Sequence, residues 1–161
     1  MNKEELEHQL YLQQLQINRL LDITLAINNN VHAEGLYEMY RSFLTWELSV
    51  KRLALFLPKG NGWHCVASQG VSNRIKSVTD FKPSKDFGVG MRRISPDNTK
   101  EAAIFEGQPV PYYLLDFEIV FPVYHKEEPI AYAFIGGFDD KDFSKIQLIS
   151  TITNIIAVAI E

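Results

Sequence analysis

The chain has 161 residues, 46% of them hydrophobic, with one cysteine and a formal net charge of −4. That length suits one domain with a real core, and a lone Cys65 excludes an internal disulfide, which places the chain in a reducing, cytoplasmic setting. The start MNKEELEHQL is acidic and polar where a signal peptide is basic and then apolar, and no apolar run approaches the roughly 20 residues of a membrane helix, so neither secretion nor membrane contact is expected of this stretch.

Residues 1–30 read as one amphipathic signalling or dimerisation helix. Leu6, Leu10, Gln13, Ile17, Leu20, Thr24 and Ile27 alternate at spacings of four and three, a coiled-coil heptad seam with two polar interruptions. Leu12, Leu15, Leu21, Ile23 and Leu25 widen the apolar face, which predicts that the helix touches both a partner helix and its own domain. Asn28, Asn29 and Asn30, poor helix formers that favour turns, stop it.

Residues 31–161 read as the domain proper. A second helix is expected over residues 33–48, with Leu36, Met39, Tyr40, Phe43, Leu44 and Glu47 on one stripe. From Lys51 the period becomes that of strands: LALFL, a turn at PKGNG, then WHCVASQG, a hairpin that makes the domain α+β rather than a helical bundle. Residues 70–100 are irregular and predict short helical turns or a lid, and a short edge strand is expected near Gly107, where Pro109 and Pro111 argue against a central position. FEIVFPVYH and PIAYAFIGGF follow as two central strands joined by Lys126, Glu127 and Glu128. The last element, from about Asp142 to Glu161, is a helix opened by acids that suit its dipole, with Ile146, Ile149, Ile152, Ile156, Val158 and Ile160 along it. It has no stop signal, which predicts that the native chain continues.

The charges are uneven. Residues 1–50 carry 3 Lys/Arg against 7 Asp/Glu, residues 51–100 carry 10 against 3, and residues 101–161 carry 3 against 10. The basic middle predicts either a solvated loop surface or a cationic edge to a pocket. The aromatic set Phe56, Trp63, Phe81, Phe87, Phe105, Tyr112, Tyr113, Phe121 and Phe134 lies around or near Arg74, Lys76, Lys82, Lys85, Arg92 and Arg93. If the basic segment folds over the sheet, Phe56, Trp63, Phe87, Arg92, Arg93, Phe105, Tyr112, Tyr113, Phe121 and Phe134 line an apolar pocket suited to a small anionic or aromatic ligand. The alternative is that the rings only fill the core.

No catalytic constellation is present. The four histidines are scattered, and His64 and Cys65, as neighbours on a strand, point to opposite faces, so neither a nucleophile–base pair nor a metal site is expected, and no cofactor. GVGMRR lacks the Lys-Ser/Thr end of a phosphate loop. Nucleic-acid binding is not expected either, because the whole chain is acidic and the aromatics fall in core strands.

Two stretches resemble the GAF family. EIVFPVYHKEEPIAYAFIGGF is similar to the family's late strand pair, with a proline inside the first and small residues closing the second, and FSKIQLISTITNIIAVAIE is similar to its final helix, from the Phe-Ser start to Ala-x-Ala-Ile-Glu. The resemblance covers nearly the whole chain. It implies a GAF-like (PAS/profilin-like) antiparallel sheet of five or six strands, with N- and C-terminal helices packed on one face and a ligand lid on the other. It further implies that the terminal helices pack together and pair with a second subunit as a parallel homodimer, Ile149 and Ile156 joining the N-terminal seam, and that the final helix runs on into an effector domain. Such a chain is a regulatory module that senses a small molecule or dimerises, or else a purely structural dimerisation domain without a ligand. The Asn-Lys-Phe-Asp-Glu set of cyclic-nucleotide-binding members is missing and Cys65 lies outside the bilin-attachment context, so neither ligand is implied. A PAS domain fits less well, since it places several short helices between its second and third strands, whereas here a long helix pair precedes the first hairpin.

Overall fold

The structure, a computed structural model, describes residues 2–60, 62–78, 81, 83, 92–93, 112–114, 116–137 and 143–160. Helix α1 runs Lys3–Asn28, and Asn2 caps it by accepting the Glu5 amide on its side-chain oxygen at 2.7 Å. The asparagine run ends it through a defined motif. Asn30 takes φ 58°, its amide bonds to the Ile27 carbonyl, and the Val31 amide reaches back to the Ala26 carbonyl at 2.9 Å, which satisfies carbonyls that the helix itself leaves free. Helix α2, Ala33–Ser42, continues without a break into a π-helical stretch, Phe43–Glu47, so the expected helix over 33–48 is present but widened in its last turn.

Strands β1 (Arg52–Lys59) and β2 (Gly62–Gln69) form the first hairpin, and a 3-10 turn over Asn73–Ser77 follows. Strand β3, Arg92–Arg93, is only two residues long and lies in the basic segment that carries no strand signal; the edge strand expected near Gly107 falls outside the described residues. After a 3-10 turn at Tyr112–Leu114 come β4 (Ile119–His125) and β5 (Glu128–Gly136), joined by Lys126 and Glu127, both at positive φ as a tight hairpin demands. Glu128, read from sequence as part of that loop, belongs to β5. Helix α3, Phe143–Ile160, closes the chain.

The described strands make one five-stranded antiparallel sheet in the order β2-β1-β5-β4-β3. The ladder between β3 and β4 ends at Val120, so Pro122, which has no N–H to give, interrupts none of its pairs. The sheet's two faces differ in kind. On one, Leu53, Leu55, Leu57, Ile119, Val123, Ala133 and Ile135 meet α1, α2 and α3 in an aliphatic core. On the other, Phe56, Phe81, Phe117, Tyr132 and Phe134 form an aromatic layer. Bulges at Leu55/Phe56 and Val123/Tyr124 shift the alternation along the strands.

All three described helices lie on the aliphatic face, the two terminal ones as the resemblance implies. Helix α3 contributes Ile146, Leu148, Ile149, Ile152, Ile156 and Ala157 to the core. Ile149 and Ile156 are 0% exposed, which corrects their assignment to a subunit interface: they are spent on the chain's own sheet and helices, each at about 1.5–3 kcal/mol of burial. Among the described residues Thr153 is the one buried side chain of the Ser, Thr, amide or charged types, and its hydroxyl meets the phenol of Tyr40 on α2 at 2.8 Å. Burial pushes that phenol's pKa well above its ordinary value, the hydrogen bond to Thr153 opposing the shift, so Tyr40 stays a proton donor.

Candidate functional site

The aromatic face is the candidate site that sequence points to, and its geometry follows from strand alternation. Phe56 on β1, Trp63 on β2 and Phe134 on β5 project from the sheet on the side away from the helices, and Tyr113 packs against them from the turn before β4. At the centre stands Phe81. Its ring stacks on Phe56 at 4.4 Å and 16°, and meets Trp63 edge-on at 5.9 Å, Tyr132 at 5.7 Å and Phe134 at 5.8 Å. Trp63 and Tyr132 also touch, at 5.0 Å. Such pairs add about 0.5–1.5 kcal/mol each beyond area burial, and Phe81 is 1% exposed, so the middle of this face is filled by the chain itself.

Phe121, expected with these residues, faces the other way. It pairs with Ala133 across β4 and β5 and shares the helix-side core with Ile119 and Val123, because residues two apart on a strand share a face. Arg92 and Arg93 lie on the edge strand and Tyr112 in the 3-10 turn, placed by backbone alone. Phe87 and Phe105 lie outside the described residues. Arg74 and Lys76 are exposed on the turn after β2. Sequence reasoning put Phe81 in the aromatic set but not among the lining residues; its isolation in an irregular basic stretch gives no periodicity from which to place it.

Two polar groups on this face are held neutral. Burial pushes the Tyr132 phenol upward, with Tyr124 adding to the shift. Burial likewise raises the Cys65 thiol from 9.0 to about 11, and its S–H donates to the Ala67 carbonyl at 3.3 Å. Neither group is primed for acid–base or nucleophilic work at neutral pH. Among the described residues no three His, Cys, Asp or Glu side chains stand close enough to hold a metal ion, and no helix is long and apolar enough to cross a membrane.

Two open cavities lie on the helix side. One, of about 390 Å³, separates α1 from α2 and the π-helical turn; Tyr40, Phe43 and Ile152 line it, with Arg19, Glu47 and Trp46 at its sides. Arg19 crosses it, paired with Asp22 at 2.8 Å and Glu47 at 3.2 Å, its guanidinium 6.0 Å from the centre of the Phe43 ring, while Trp46 is 77% exposed. The other, of about 900 Å³, runs between α2 and the far ends of β1 and β2 past Tyr37, Arg41, Lys59 and Lys76.

The surface of α1 is the second candidate. Its buried residues Leu12, Leu15, Ile23 and Ala26 form one stripe, and at 3.6 residues per turn the exposed Leu6, Leu10, Ile17 and Leu21 fall on the opposite side, with the exposed Leu25 beside them. Of the expected seam, Leu6, Leu10 and Ile17 are open to solvent, as are Gln13, Thr24 and Ile27, while Leu20 is half-buried against the chain's own core. The first turns of α1, before Leu12, bury no residue at all.

No protein-family model matches the sequence, and no curated protein matches it. Solved structures match in fold. The GAF domain of a phosphoenolpyruvate-protein phosphotransferase (ptsP) from Coxiella burnetii superposes with a TM-score of 0.62 at 15% identity, covering 90% of this chain and 92% of that one. The GAF domain of a putative sensor histidine kinase from Pseudomonas syringae pv. tomato gives 0.59 at 13% identity, over 94% and 88%. The A. aeolicus nlh2 GAF domain in an inactive state gives 0.58 at 21%, over 92% and 96%.

Proposed function

We propose, from the premise that this chain has the GAF fold, that it is a regulatory module acting as a homodimer in a cytoplasmic signalling protein, without catalytic activity of its own. Two copies pair along α1, and changes in that pairing pass through α1 and α3 to an effector domain. The observation that carries this reading is the second apolar stripe of α1. A helix whose first turns bury nothing is marginal in water, and exposed leucines and isoleucine on the side away from its own domain favour a partner helix. Solved structures of like fold include the GAF domains of a phosphoenolpyruvate-protein phosphotransferase and of a putative sensor histidine kinase, which supports a module linked to an effector.

A second reading, sensing of a small aromatic or anionic ligand on the outer face of the sheet, needs Phe81 to give way, since its ring occupies the place such a ligand would take. The filled aromatic layer therefore favours dimerisation and relay over sensing. Native mass spectrometry of the chain purified from cells separates the two. The relay reading expects a dimer of unmodified mass; a dimer carrying a retained aromatic compound favours sensing, and a monomer contradicts the dimer.

A further inference from the structure

The core face of α3 is nearly uniform. Ile146, Ile149, Ile152 and Ile156 are buried and follow one another at spacings of three and four, so a slide of one helical turn sets isoleucine where isoleucine was. Aliphatic packing of that kind discriminates poorly between neighbouring registers. Thr153 interrupts it. Its hydroxyl has one hydrogen, which it donates to the Ile149 carbonyl in its own helix at 2.7 Å, so at the 2.8 Å contact with Tyr40 it accepts and the phenol donates. One turn toward the C-terminal end of α3 offers Tyr40 only Ile156 and Ala157, neither with a side-chain acceptor, and a fully buried phenol is then left without its partner; one turn the other way offers Ile149, which has none, and Ser150, which is half-buried in the present seating.

We propose that the Tyr40–Thr153 hydrogen bond is a register lock for α3: one buried polar pair holds the final helix on α2 against the seating that brings Ile156 or Ala157 to Tyr40, which the isoleucines alone would accept. A lone polar residue in an aliphatic seam fixes register in coiled coils by the same discrimination. The lock makes the position of α3 discrete rather than continuous, because intermediate displacements lose the hydrogen bond without reaching another aliphatic fit. Tyr40 and Ile152 also line the open groove between α1 and α2, while the two bonded hydroxyls themselves are buried.

The test uses Tyr40→Phe, Thr153→Val and the double variant in the whole chain, with 13C-labelled isoleucine methyl groups observed by NMR. Thr153→Val strands the phenol and lowers the folding equilibrium constant roughly tenfold to a hundredfold, whereas the double variant, in which both polar partners are gone, loses less than the two singles combined and folds even where Thr153→Val does not. In the double variant the methyl signals of Ile146, Ile149, Ile152 and Ile156 double or broaden by exchange, while Ile75, on the other face of the sheet, keeps one sharp signal. A single sharp set throughout, or losses that simply add, overturns the lock.

Discussion

The two terminal helices carry similar amounts of apolar side chain and use it differently. Helix α3 spends its isoleucines inward: Ile149, Ile152 and Ile156 are fully buried and Val158 is its exposed large aliphatic. Helix α1 divides its own between a buried stripe and an exposed one on the opposite side. An apolar count therefore says little about what a helix binds; the angular separation of its stripes says more, and only α1 keeps a full stripe free.

The largest effect expected from this difference is on α3. Ile156→Ala, cutting into a fully buried site, destabilises the fold by about 2–5 kcal/mol in chemical denaturation and leaves any surviving folded protein dimeric. Next comes a perturbation remote from both helices. Cys65 has its pKa raised, so the stabilisation linked to its neutral thiol is complete below the ordinary value of 9.0 and is lost as pH rises through about 11. Compared with Cys65→Ala, the wild type loses about 2 kcal/mol more stability between pH 9 and pH 11, with no change in subunit number at matched folded fraction. At the end of α1, Asn30→Val forces a β-branched residue into φ 58° and costs about 1–2 kcal/mol of stability, read as a lower denaturation midpoint. Smallest in stability is Leu21→Asp on the exposed stripe, with a change within about 0.5 kcal/mol for the isolated fold, yet it removes the partner.

Much of the architecture was legible from periodicity. The bounds of α1, both hairpins and α3 follow from the switch between a period of 3.6 and a period of 2, and the asparagine run marks the helix end that Asn30 completes. What periodicity left open was phase. Leu6, Leu10 and Ile17 recur at helical spacing just as Leu12, Leu15 and Ile23 do, so the sequence contains both stripes without saying which one the domain covers, and the expected seam drifted onto Leu20, which the core half-buries. The same gap misplaced Phe121: its alternation with Ile119 and Val123 was readable, but which face of the sheet those residues share depends on where the helices dock. Ile149 and Ile156 were assigned outward for want of the sheet they pack against. Strand β3 escaped notice because two arginines offer no alternation to read.

Sedimentation equilibrium on the wild type and Leu21→Asp, over the same concentration range and with matching far-ultraviolet circular dichroism, addresses the pairing of α1 most directly. The prediction is a dimer for the wild type and a folded monomer for the variant. A wild-type monomer, or a variant that remains as firmly dimeric as the wild type, contradicts it.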